Sequence, residues 1–294
     1  MVKENRKAYV SMIAAMLIFG TMAIFRRLIP LSSALLAFFR GLLGSLVLLA
    51  YTALRGHRLQ RIEKKQLALL ILTGGVLGVN WIVLFESYNY TTVATATMCF
   101  YMQPTIMILL SPLVFHERLT ARKLLCALAA IVGMVFVSGV AEGGAGGVDD
   151  GRGIALGLCA AALYALTVIL NKKVKNEDAY ENTIVQLAAA AAVMIPYLLL
   201  TEDFSAVRLD TRTVLLVLLV GVVHSGAAYA LYFGSVKALK AQTIAVLGYI
   251  DPVSTLFLSA LVLHERLSAL GILGAALIIG SALVSETGRK KAAA

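Results

Sequence analysis

Charge is scarce in this chain. Only 14% of its 294 residues are Asp, Glu, Lys or Arg, while 60% are hydrophobic. A soluble domain carries about 25% charged and about 45–50% apolar residues. With a mean hydropathy of +0.87, a water-soluble monomer would have to expose large apolar patches, and such patches mark membrane contact or aggregation. A soluble enzyme and a disordered chain are excluded on that ground. Cysteine is sparse too. Cys99, Cys126 and Cys159 all fall inside apolar runs, so they suit neither a disulfide scaffold nor a metal site and read as small packing residues. The chain contains no Gly-x-x-x-x-Gly-Lys-Ser/Thr loop to bind ATP, and no Gly-x-Ser-x-Gly elbow. His116-Glu117 and His264-Glu265 lack the second histidine of a His-Glu-x-x-His metal motif. No cofactor, metal or catalytic residue is implied, and an enzyme is not expected.

Long apolar runs are plentiful. A bilayer-spanning helix needs about 20 mostly apolar residues. Ten such runs lie at about 8–26, 32–54, 66–88, 92–115, 121–140, 153–171, 179–200, 213–235, 242–263 and 268–285. They are longer and more continuously apolar than the alternating strands of a spanning β-barrel. The expected fold is an all-α polytopic membrane protein with ten transmembrane helices. The first run follows Lys3, Arg6 and Lys7 as a signal peptide would. It leads into Phe25-Arg26-Arg27 rather than small residues, so it reads as an uncleaved first span. With the N-terminus in the cytoplasm, nineteen Lys and Arg residues fall on the cytoplasmic side and six on the outer side. The positive-inside rule thus places both termini in the cytoplasm. The net charge of +10 is then largely a topology signal and not a nucleic-acid patch. The basic stretch Arg55–Lys65 suits a loop beside anionic lipid.

The chain repeats itself. Tyr101–Leu119, YMQPTIMILLSPLVFHERL, aligns without gaps on Tyr249–Leu267, YIDPVSTLFLSALVLHERL, with ten of nineteen positions identical. A Gly-rich linker at 141–151 separates a first five-helix repeat, 1–140, from a second, 152–294. Five spans are an odd number, so the second repeat enters the membrane in the opposite sense. Inverted repeats are a recurring plan of secondary transporters, with the substrate site near the midplane.

Three features together resemble the drug/metabolite transporter superfamily in its ten-helix EamA-type branch. They are the doubled five-span plan; the blocks Gln103-Pro104…His116-Glu117-Arg118-Leu119 and Asp251-Pro252…His264-Glu265-Arg266-Leu267; and the aromatic-to-Thr/Ala passage Tyr88–Thr97. His116 and His264 stand where that family more usually has glycine. The resemblance covers essentially the whole chain. It implies a carrier of small metabolites, often an exporter, and names no substrate.

Polar groups inside spans are functional candidates by default. Arg40, Gln103, His224 and Asp251 fall near mid-depth, Asn80 slightly nearer the outside, and Glu86 nearer still. Pro104 and Pro252 follow Gln103 and Asp251. A proline offers no N–H to the carbonyl four residues earlier, here Phe100 and Gly248, and disfavours helix at the residue before it. Both helices should bend there and line a cavity. A carboxylate withdrawn from water can take a proton near neutrality. Asp251 therefore suits proton coupling or a cationic substrate group, or else a structural pair with Arg40 or His224. Glu86 is a weaker proton candidate. Arg40 can fork onto a substrate carboxylate or phosphate, or pair with Glu86 or Asp251. His224 reads as a hydrogen-bonded packing residue or a binding group. Of the aromatics Phe19, Trp81, Tyr101, Tyr164, Tyr229 and Tyr249, the repeat singles out Tyr101 and Tyr249 near the bends. The candidate substrate-binding set is therefore Arg40, Asn80, Trp81, Tyr101, Gln103, His224, Tyr249 and Asp251.

The resulting expectation is a cytoplasmic-membrane secondary transporter that exports a small polar or amphipathic, amino-acid-like metabolite by alternating access. A lipid-headgroup flippase is the alternative, and an intramembrane enzyme or passive pore would be a poorer fit. The implied partners are a small molecule, the bilayer and, for coupling, protons.

Overall fold

The computed structural model describes residues 2–57, 62–115, 120–137, 148–176, 178–205, 207, 209–236, 238–239, 247–266 and 268–287. Among these, all regular structure is helical. In chain order the helices are α1 (Val2–Leu28), α2 (Ser33–Leu54), α3 (Lys64–Ser87), α4 (Val93–Phe100), α5 (Gln103–Phe115), α6 (Ala121–Val137), α7 (Asp150–Asn171), α8 (Ala179–Thr201) and α9 (Thr211–Leu219). A π-helical segment, Val220–Ala227, joins α9 to α10 (Ala228–Val236), and α11 (Ile250–Val262) and α12 (Ala269–Thr287) complete the described chain. Among the described residues, seven stretches are long and apolar enough to cross a membrane, counting α4–α5 and α9–α10 as one each, and α11 and α12 are shorter apolar helices. The protein is an all-α polytopic membrane protein.

Polar side chains start several helices where the sequence supplies them. Ser32 accepts from the Leu35 N–H, Thr92 from Thr95, Asp178 from Tyr180 and Glu181, and Asp210 from Thr213. Each satisfies a helix N–H that has no intrahelical partner. The hydrogen bonds from Thr213 hold the Asp210 carboxyl below its ordinary range.

The helices form two compact units. One comprises Met1–Ile82 with Leu166–Lys240, the other Val83–Ala165 with Ala241–Ala294. Neither is a continuous stretch of chain: each unit gathers helices from both sides of the Gly-rich linker, and α3 and α7 contribute to both.

Small residues set the packing within each unit, because close helix approach in lipid depends on them. In the first unit α2 lies against α8. A Cβ built on Gly41 would stand 2.9 Å from the Leu187 carbonyl oxygen, and one on Gly74 of α3 would stand 2.3 Å from that of Gln186. The alanines of α8 supply the facing surface. In the second unit α6 meets α12 backbone to backbone. A Cβ on Gly133 would reach 2.6 Å from the Gly274 oxygen, and one on Gly274 2.4 Å from the Gly133 oxygen. A Cβ on Gly271, one turn earlier in the same helix, would meet only the Ser268 hydroxyl among the described residues.

The predicted bends are breaks. α4 stops at Phe100, Tyr101 and Met102 turn, and α5 restarts at Gln103 with Pro104 in its first turn. In the matching repeat position Tyr249 occupies the turn and α11 starts at Ile250, with Asp251 and Pro252 next. Pro in a first helical turn loses nothing, because the N–H there has no intrahelical partner. The span therefore divides in two at little cost.

In the loop after α11, His264 stands where the resemblance implies glycine. His264 has φ of 54°, a left-handed conformation that L side chains resist and glycine adopts freely. The repeated block His116-Glu117-Arg118-Leu119 lies outside the described residues.

Candidate functional site

In the first unit the structure gathers Arg40, Trp81 and His224. Arg40 projects from α2 with only 8% exposure. Its Nε donates to Ser225 Oγ at 3.2 Å, and its guanidinium carbon lies 4.4 Å from the centre of the Trp81 ring. A planar cation over an indole face is an attractive arrangement that strengthens as water is excluded. Trp81 and its neighbour Asn80 are both buried on α3. His224 is 1% exposed and sits inside the π-helical segment, beside Ser225. Its Nε2 lies 2.8 Å from Thr21 Oγ1, which gives its own proton to the Ile18 carbonyl at 2.7 Å. A hydroxyl has one proton, so Nε2 is the donor toward Thr21. The edge of Phe25 closes on the ring at 5.0 Å.

The π-helical segment was not foreseen. Such widened turns recur at functional sites. Here it presents Gly221 and Gly226 to α2, where added Cβ atoms would stand 2.4 Å and 2.2 Å from side-chain atoms of Leu43 and Val47. Gly226 thus has a packing role. The half-buried rings of Phe19 and Tyr229 meet at 5.2 Å, and Tyr229 stacks on Phe233 at 5.9 Å.

In the second unit the structure joins Tyr101 to Asp251. The Tyr101 hydroxyl donates to Asp251 Oδ2 at 2.6 Å, a short charge-assisted bond. It links the two breaks, because Tyr101 occupies one and Asp251 lies just past the other. The sequence reading had not weighed this partner for Asp251. Asp251 also occupies the first turn of α11, where the helix dipole favours negative charge. Its carbonyl accepts from Ser254 and Thr255 hydroxyls at 2.9 Å and 3.1 Å. Gln103 and Tyr249 are half-buried at the same breaks. The buried oxygens Gln103 Oε1 and Thr97 Oγ1 lack hydrogen-bond partners among the described residues. Phe100 packs edge-on against both Tyr101 and Tyr164, at 5.8 Å and 5.4 Å. Glu86 stands apart near the end of α3, where it accepts from Asn89 Nδ2 at 3.1 Å.

The His264-Glu265 pair sits at a span boundary, where it suits a helix-end or loop role, but sequence reasoning did not find its partner. Glu265 accepts from the backbone N–H groups of Val93 and Ala94 at 2.8 Å and 3.1 Å. Its carboxylate thus closes the N-terminus of α4, the short helix that ends at Tyr101. Its presence in the repeated His-Glu-Arg-Leu block was the available signal.

A transporter family model matches the chain twice. The EamA-like transporter family matches residues 6–139 and again 151–287. The chain belongs to this family. Among its relatives, the uncharacterized transporter YxxF of Bacillus subtilis is 27% identical over 252 residues, covering 85% of this chain and 80% of that one. The uncharacterized transporter YvbV of the same organism is 26% identical over 278 residues, covering 90% and 89%. An uncharacterized transporter of Clostridium kluyveri is 24% identical over 259 residues, covering 85% and 82%. A crystal structure shares the fold with a TM-score of 0.69 at 21% identity, covering 98% of this chain and 99% of that one. This EamA protein is thus a multi-pass membrane transporter by family.

Proposed function

We propose that this EamA protein is a proton-coupled secondary transporter of the cytoplasmic membrane that exports a small amphipathic, amino-acid-like metabolite. Both termini lie in the cytoplasm, and the two five-helix repeats, 1–140 and 152–294, thread the membrane in opposite senses. Two similar halves related this way can exchange conformations at nearly equal energy, which is the physical basis of alternating access.

The observation that carries this reading is the Tyr101–Asp251 hydrogen bond at the paired helix breaks. Asp251 takes and releases the coupled proton. The Tyr101 hydroxyl donates to the carboxylate, and once Asp251 is protonated it can rotate to accept instead. Arg40, steadied by Ser225 and Trp81, receives the substrate carboxylate. Asn80 and His224 in the first unit, and Gln103 and Tyr249 in the second, are each further candidates for substrate contact, and Glu86 is a second, weaker proton site.

The test uses purified protein in proteoliposomes. A thermal-shift screen of metabolites supplies a labelled ligand, because a compound that binds the folded state raises the melting temperature. Wild-type protein should concentrate that ligand in response to an imposed pH gradient. Asp251→Asn should retain ligand exchange across vesicles yet lose the response to the gradient. Unchanged gradient-driven flux in Asp251→Asn would remove Asp251 from the mechanism.

A further inference from the structure

We infer that His57, Asp178 and Glu181 form a binding site for a divalent transition-metal cation, at the end of the α2–α8 pair. One ligand atom from each residue lies within 4.8 Å of the other two. His57 and Asp178 are 121 positions apart in sequence, so the fold and not local chain proximity assembles the group. The site lies wholly within the first unit and takes no part in the transport reading above.

The backbone pins all three residues. His57 follows Gly56, whose φ is 67°, and its N–H returns to the Thr52 carbonyl at 3.0 Å. That left-handed glycine closes α2 and leaves the His57 ring facing α8. Asp178 is the N-cap of α8. Its Oδ1 accepts from the Tyr180 and Glu181 N–H groups at 2.9 Å and 3.1 Å, leaving Oδ2 for His57 Nε2 at 2.6 Å. Glu181 lies in the first turn of the helix. Asn176 orients both carboxyl residues: its Nδ2 donates to Glu181 Oε2 at 3.0 Å, and its Oδ1 accepts from the Asp178 N–H at 3.3 Å. Partners of this kind, which hold the ligands without touching the metal, are a usual part of a metal site.

The mixed donor set, one imidazole and two carboxylates brought together by the fold, is the reason to expect a cation. Glu181 is only 3% exposed, and a buried carboxylate is retained when it is paired or coordinates a metal. Here a second carboxylate stands beside it. Helix capping alone calls for Asp178 and gives no reason for an imidazole on its outer oxygen. A divalent cation would take the place of the proton between His57 Nε2 and Asp178 Oδ2, since a ligating imidazole is neutral. One imidazole and two carboxylates suit zinc or manganese, whereas magnesium prefers oxygen ligands and holds its water. Three ligands leave a further position for water. Occupancy ties the end of α2 to the start of α8.

The probe is Zn²⁺ added to the full-length protein after chelation, followed by titration calorimetry and thermal melting, with Mg²⁺ as the comparison ion. Wild type should bind one Zn²⁺ and melt higher, and Mg²⁺ at the same concentration should leave the melt unmoved. Asp178→Asn preserves a good N-cap residue and should fold. Asp178→Asn and His57→Gln should each weaken Zn²⁺ binding by more than about tenfold, the scale lost even when outer-shell partners are removed. X-ray absorption of the zinc-loaded protein should show one imidazole in a nitrogen- and oxygen-only shell. Absence of stoichiometric Zn²⁺ binding, or binding that both variants leave intact, would overturn the site and establish the cluster as a helix cap with an ion pair. Either result leaves the transport reading untouched.

Discussion

Glu265→Ala should loosen the start of α4 and, through it, the position of Tyr101. Glu265 closes two helix N–H groups, Val93 at 2.8 Å and Ala94 at 3.1 Å. A hydrogen bond to a charged group contributes about 1.5–3 kcal/mol net, which would give about 3–6 kcal/mol for an isolated pair. Glu265 is half-buried, so water replaces part of what is lost, and about 2 kcal/mol is the expected cost. Glu265→Gln keeps an acceptor oxygen without the charge and should cost about half of that, the scale of charge–dipole contributions at a helix end. α4 has only eight residues, about 12 Å of helix. Disturbance at Val93 is therefore felt within two turns at Tyr101. Hydrogen exchange measured by mass spectrometry reads the effect directly: peptides spanning 92–97 should exchange about tenfold or more faster in Glu265→Ala, since every 1.4 kcal/mol is tenfold. Peptides from α8 should not change. Unaltered protection at 92–97 in Glu265→Ala would show that the carboxylate does not hold the helix, and the reasoning would fail.

Other consequences follow from the same geometry. His264→Gly relieves a left-handed φ of 54° and should stabilise the protein by about 1 kcal/mol, read as a higher melting temperature; a lower one would contradict the strain. Gly274→Val places a side chain where even a Cβ would be 2.4 Å from the Gly133 oxygen. It should destabilise α6–α12 by about 3 kcal/mol or more, seen as loss of folded protein after detergent extraction. Asp210 carries a folded-state pKa held below the ordinary 3.8 by bonds from Thr213. Its contribution is therefore present above that ordinary value and lost as pH falls through the lower folded one. Protection of the Thr213 amide should fall with acid in wild type and stay flat over the same range in Asp210→Asn. Arg40→Lys keeps the charge but not the planar fork, and should weaken binding of a carboxylate ligand by about tenfold in a thermal-shift titration; equal affinity would remove Arg40 from substrate recognition.

Much of the helical framework was legible because apolar run length is a direct consequence of bilayer thickness. The breaks at Tyr101 and Tyr249 were legible as bends, since proline's missing N–H acts locally. What stayed hidden depends on through-space contact. The gathering of helices into units that mix both sides of the linker follows from backbone approaches such as Gly133 to Gly274, and small residues are too common in such chains to announce their partners. The π-helical turn around His224 left no local mark. Asp251 was weighed against charged partners, while its donor is a phenol, Tyr101, that the repeat had marked for a different reason. Glu265 and the His57 cluster lie at helix ends; the His264-Glu265 pair suits a helix-end or loop role from sequence, but the helix it closes is set through space.

Opposite threading of the two halves is the premise on which alternating access rests. Single cysteines at Arg118 and Arg266, in a background without Cys99, Cys126 and Cys159, can be labelled in sealed, oriented vesicles with an impermeant maleimide. Opposite threading requires Arg266→Cys to be labelled from outside and Arg118→Cys only after the vesicles are opened. Labelling of both from the same face would contradict it.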